Sequence, residues 1–243
     1  MSWFKTEDGY ELFFNRDEHK TRRRADIPVL TTQSGVDVIS PTDTDAGGTW
    51  VSVNHFGLSL CLLNHYEKEQ RIPHIDWISR GGIIRSLATH ASLSVIEYTF
   101  AQIDLNEYKP FRLFALDAQG KSVFFTWDGE TTTKEFDIVT PRSSSSFEPE
   151  KVRAGRKQQF VSQGLHESTD REAFLAFHCS HDPSASAYSV CMHRDDANSV
   201  SLSHIVVNKQ EVTFAYADGA PCKAELSQPI GVPLRTSIKH DAA

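Results

Sequence analysis

Apolar positions along this chain switch between a two-residue and a three-to-four-residue repeat, and the switches mark sheet and helix blocks in turn. Tyr10 to Phe14, aromatic and aliphatic after an Asp8-Gly9 turn, reads as a strand. A polar stretch follows from Thr31 to Asp45. Thr49–Val53, the turn Asn54-His55-Phe56-Gly57 and the apolar run Leu58–Leu63 then form a hairpin whose second arm is apolar enough to be buried on both faces. Ile83, Ile84 and Leu87 fall at helical spacing. So do Val95, Ile96, Phe100 and Ile103, with Ser92 or Ser94 as the N-cap. Phe111, Leu113 and Ala115 alternate, Gln119-Gly120 turns, and Val123, Phe125 and Trp127 return; Phe136–Thr140 is a third strand. Pro149 opens a helix through Val152 and Phe160, and Thr169-x-x-Glu172 caps another before Ala173, Phe174 and Phe177. Strands at Tyr188–Met192, Val200–Val207 and Val212–Tyr216 complete the chain. Hairpins with two segregated helix pairs predict an α+β sandwich with its helices outside.

Composition narrows the class of partner. The 243 residues are 39% hydrophobic, enough for a core, and nothing marks a boundary, so residues 1–243 read as one domain. With 25 basic and 32 acidic residues the net charge is −7, which argues against a nucleic-acid surface. No apolar run approaches the roughly 18 residues of a membrane span. The acidic opening Met1–Asp8 has no signal-peptide apolar region. Cys61, Cys179, Cys191 and Cys222 form no CxxC pair, which fits reduced thiols and a cytoplasmic location.

Several clusters carry candidate chemistry. Asn15-Arg16-Asp17-Glu18 closes the first strand with both signs of charge, as an electrostatic network or as a solvated strand end. Gly47-Gly48 precede Trp50 and permit positive φ or close backbone approach. Asn64 ends an apolar strand, where its amide can donate to an oxyanion or cap the strand. Ser143–Ser146 offers hydroxyls to a ligand or is an ordinary loop. His178 and His181, three apart, would need Cys191 or His193 to complete a zinc site; a helix C-terminus that favours histidine explains them equally, and no metal or cofactor is assigned.

Phe13-Phe14-Asn15-Arg16-Asp17-Glu18, Gly47-Gly48-Thr49-Trp50, Asn54-x-x-Gly57 and Leu62-Leu63-Asn64, in this order and spacing, resemble the NRDE family, which includes the transport and Golgi organisation protein 2 group. The likeness is strongest over residues 10–66. It implies an N-terminal-nucleophile-hydrolase fold, a four-layer αββα sandwich. It also implies hydrolysis of a linear amide, with Arg16, Asp17 and Asn64 catalytic. Asn15, Glu18, Trp50, Asn54, His65, Ser145 and Ser146 would line the substrate site. The alternative is a non-catalytic carrier of haem or lipid, since eukaryotic relatives are associated with Golgi organisation and haem trafficking.

Relatives begin Met-Cys-Thr, whereas this chain begins Met1-Ser2-Trp3. Ser2 lies about three residues inside the nucleophile position, roughly 10 Å away and on the opposite strand face. The resemblance therefore predicts a beginning Met-Cys-Thr-Val with Met1 at the valine position. The chain as numbered is expected to lack hydrolase activity.

Overall fold

The computed structural model describes residues 1–69 and 77–236. Among them, two antiparallel sheets stack face to face. The first holds β1 (Ser2–Thr6), β2 (Gly9–His19), β10 (Ala197–Val207), β11 (Glu211–Asp218) and β12 (Ile230–Pro233), in the order β1-β2-β10-β11-β12. The second is a meander of β3 (Asp26–Gln33), β4 (Val36–Thr42), β5 (Val51–Asn54), β6 (Ser59–Asn64), β7 (Phe111–Leu116), β8 (Ser122–Trp127) and β9 (Thr132–Phe136). After the single turn α1 (Tyr66–Glu69), helices α2 (Gly81–Leu87) and α3 (Leu93–Phe100) cover the second sheet. Helices α4 (Pro149–Ser162) and α5 (Arg171–Cys179) cover the first. This is the four-layer αββα sandwich.

Strand alternation builds three cores from two sheets. On β2, Tyr10, Leu12 and Phe14 face the other sheet, while Phe13 faces the helices. On β6, Cys61 and Leu63 meet them between the sheets, and Leu60 and Leu62 pack under α2 and α3. All four β6 side chains are buried, as a strand covered on both faces requires. Trp3 lies 4.4 Å from Phe114 across the inter-sheet layer. Ser92 is the N-cap of α3, accepting from Val95 N, and Asp170 rather than Thr169 caps α5 by accepting from Glu172 N.

The sequence pattern assigns no element to the Thr31–Asp45 stretch, and two expectations on strand position are corrected. The polar stretch is part of the pair β3 and β4; β3 is an edge strand with most side chains in solvent, so its residues need not be apolar. The third strand of the middle block is Thr132–Phe136, the exposed opposite edge, rather than Phe136–Thr140. Tyr188–Met192 is irregular backbone and not a strand. No helix among the described residues is long and apolar enough to cross a membrane.

The glycine pair before β5 brings two loops together. Gly47 takes a positive φ of 67° in a turn closed by Asp43 N donating to Gly48 O and Gly47 N donating to Asp43 O. At Gly48 a Cβ would meet backbone atoms of Gly81 at 2.7 Å, and Thr49 N donates to Gly81 O. Gly48→Ala is therefore expected to push the α2 entrance off β5 and cost about 1–3 kcal/mol. Urea unfolding of the variant against wild type measures it.

Candidate functional site

A cavity of about 220 Å³ opens where the end of β2, the 43–50 loop, the end of β6 and the 141–146 loop converge. Asn15, Arg16, Asp17, Glu18, Trp50, Asn64, Ser145 and Ser146 all line it. Asn54 and His65 do not. The Asn54 side chain is buried and spent on backbone: Nδ2 donates to Ala88 O and His90 O, and Oδ1 accepts from Phe56 N and Leu58 N. It fixes the β5–β6 turn and anchors the end of α2. His65 is buried beyond the end of β6, and burial, with Arg112 nearby, pushes its pKa down to about 4.

Alternation along β2 divides the tetrapeptide between two environments. Arg16 faces the second sheet, where its Nη2 donates to Asp43 (3.0 Å) and Glu18 (3.2 Å) and its guanidinium lies 4.1 Å from the Trp50 ring centre. Trp50 Nε1 itself is buried with no hydrogen-bond partner among the described residues. Asn15 and Asp17 face the helices. Asp17 accepts from Ser199 Oγ (2.5 Å) and sits 3.6 Å from the Arg156 guanidinium. Opposite Arg16 and Asp17 the β2–β10 register shifts between Ser199 and Ser201, a bulge of the kind that re-aims side chains beside a site.

The strand that precedes β2 carries the chain start to the same place. Met1 lines the cavity; its amine donates to Arg142 O (2.8 Å) and Arg142 N donates to Met1 O (2.9 Å). Burial, reinforced by the Arg156 cation, pushes the amine pKa down to about 5, so it is an uncharged base at neutral pH. Asn64 uses Nδ2 to donate to Tyr66 Oη (2.7 Å), one of its two amide hydrogens. In the 143–146 loop Ser146 Oγ accepts from Arg194, and Ser145 Oγ closes its own turn with Phe147 N and O.

The model of the family described as Transport and Golgi organisation 2 matches residues 1–217. The chain belongs to that family. Among solved structures it is similar to penicillin V acylase from Agrobacterium tumefaciens: 12% identity, TM-score 0.51, 89% of this chain and 84% of that one covered. It is also similar to the Caenorhabditis elegans N-acylethanolamine-hydrolyzing acid amidase ortholog: 10% identity, TM-score 0.55, 82% and 88% covered. These likenesses are of fold. No curated protein matches it.

Arg156 and His178 are among the cavity residues that the sequence pattern did not place there. Arg156 is buried in α4 four residues after Val152 and four before Phe160, in the middle of an apolar stripe. A charged residue at that helical phase was the available signal. His178 lies on the buried face of α5 with Phe174 and is not paired with His181, because the helix ends at Cys179 and the chain turns away. Its Nδ1 meets Asn15 Oδ1 (3.0 Å) and its Nε2 meets Ser2 Oγ (2.8 Å). Ser2 is fully buried and does not line the cavity.

Burial holds the His178 pKa well below its ordinary 6.5, helped by the Met1 amine, His204 and Arg156. The folded protein thus keeps His178 neutral while the unfolded chain binds a proton below about pH 6.5, so stability falls as pH falls through that value. Below it, wild type should lose about 1.4 kcal/mol per pH unit more than His178→Gln. Urea unfolding of both proteins across a pH series reads the difference.

Proposed function

We propose that the cavity binds a small linear amide. The observation that carries this is the meeting, around one cavity, of the first strand's leading end at Met1, Asp17 with Arg156, and the Asn64 amide. Acyl transfer asks for a nucleophile with its own α-amine, toward which the strand at Met1 leads, for fixed charges that orient the substrate, and for a donor to the oxyanion. Two proteins of similar fold are named for cleaving amides, which supports the substrate class.

Met1 does not itself supply a nucleophile. Its thioether has no proton to lose and packs in the inter-sheet core with Trp3. A cysteine two residues ahead of Met1 would share the face of Met1 by strand alternation. Its sulfur would attack the carbonyl carbon while the thiol proton passes to the α-amine. The oxyanion would take the second N–H of Asn64. The C–N bond then breaks, the amine leaves with that proton, and water hydrolyses the thioester to the acid. A carrier of haem or lipid is less well served by the charged lining of Arg16, Asp17, Glu18 and Arg156. The four free cysteines agree with a cytoplasmic setting.

The deciding comparison sets the chain as numbered beside a version with Cys-Thr ahead of Met1, using a panel of N-acyl amides and a thiol-directed acylating probe. The extended version should label at the added cysteine and release acid, and the chain as numbered should do neither. Asn64→Ala in the extended version should slow turnover about a hundred- to a thousand-fold. Saturable haem or fatty-acid binding by both versions, with no labelling, would replace the amide with a carried ligand.

A further inference from the structure

On the far side of one cavity wall, His181, Cys191, His193 and Cys222 converge, their four ligand atoms all within 4.8 Å of one another. His193 Nε2 is the hub: it lies 3.0 Å from His181 Nε2, 3.6 Å from Cys191 Sγ and 3.5 Å from Cys222 Sγ. A neutral imidazole nitrogen has either one hydrogen or one lone pair, so hydrogen bonding alone serves one of those neighbours well. A cation at the centre serves all four. With Zn–S near 2.3 Å and Zn–N near 2.0–2.1 Å, a tetrahedral site sets ligand atoms about 3.3 Å apart for N–N and about 3.6 Å for N–S. The three separations to His193 Nε2 are of that size, and the remaining pairs lie within 4.8 Å.

We propose that these four residues bind one Zn²⁺ as a closed structural Cys₂His₂ site. Binding releases the two thiol protons to solvent, and two thiolates with two neutral imidazoles leave the site uncharged overall. Four protein ligands leave no open position for catalysis, so the ion's work is mechanical.

That work is visible in the chain path. His181 follows α5, Cys191 and His193 lie in the irregular 180–196 segment, and Cys222 is in the turn after β11. Between Ser180 and His193 the segment folds back on itself, with Cys191 N donating to Ser180 O and His193 N to Ser186 O, and its end is tied to β2 and β10 by Lys20 N donating to Asp196 O and Ser199 N to Met192 O. Cys191 and His193, two apart, face the cluster, while the alternate residues Val190, Met192 and Arg194 line the cavity. The ion would staple the back of the strip whose front is the cavity wall.

Protein purified with reduced thiols should carry equimolar zinc by elemental analysis. Cobalt exchange should give thiolate-to-cobalt charge transfer and tetrahedral d–d bands, and X-ray absorption of the zinc form should show two sulfur and two nitrogen ligands. Cys222→Ser and His181→Ala should lose the metal. Cys179→Ser should keep it, since Cys179 Sγ only donates to Pro221 O beside the cluster. The wild-type spectra decide even where a variant fails to fold. A reduced protein that takes up neither ion, a different ligand set, or a Cys191–Cys222 disulfide as the native state would overturn the proposal.

Discussion

The cavity depends on β2 remaining a regular strand through Asn15-Arg16-Asp17-Glu18. Because successive side chains leave opposite faces, Arg16 and Glu18 are delivered to the second sheet, and Asn15 and Asp17 to the helix side. A one-residue slip would reverse both sets, bury the wrong charges and separate Asn15 from His178. The register is held on one side by β1, where Ser2 pairs with Phe13, and on the other by β10, whose bulge falls opposite Arg16 and Asp17. The same pairings that close the inter-sheet core therefore aim the polar groups.

Charge is distributed unequally over those two sets. Arg16 has two carboxylates in hydrogen-bond range, and Asp43 is shared with Arg22 at 2.8 Å. That network is nearly neutral within itself and fastens β2 to the 43–48 turn. Arg156 is buried, with Asp17 at 3.6 Å and Tyr188 O at 3.4 Å. Arg156 adds to burial in lowering the pKa of both the Met1 amine and His178. Arg16 and Arg156 both line the cavity, Arg16 inside an ion-pair network and Arg156 beside Asp17.

The layered fold was legible because apolar residues at two spacings recur where both sheet faces or a helix face are covered, as at Leu60–Leu63 or Val152 and Phe160. Edge strands were not legible, since β3 and β9 are largely solvated and need no apolar pattern. Much of the cavity lining followed from motif spacing at Asn15–Glu18, Trp50 and Asn64. Asn54 carries a motif position but does structural work, because a buried turn needs its donors and acceptors satisfied locally. Residues brought in by tertiary packing, such as Arg156 against Asp17 or Cys222 against His193, lie far apart in the chain. Local pattern carries no trace of such meetings.

Ser2, His178 and Asn15 show why hydrogen-bond order alone does not define a catalytic site. A hydroxyl on a neutral imidazole, itself oriented by an amide, matches the sequence of contacts in a serine–histidine–asparagine triad. Here the hydroxyl is fully buried and lies on the helix face of β1, one residue from the side chain that reaches the cavity. No carbonyl carbon can approach it without separating β1 from α5. The three groups form a polar clamp that ties the first strand, β2 and α5 together. The clamp fixes the strand whose leading residue, Met1, lines the cavity together with Asp17 and Asn64.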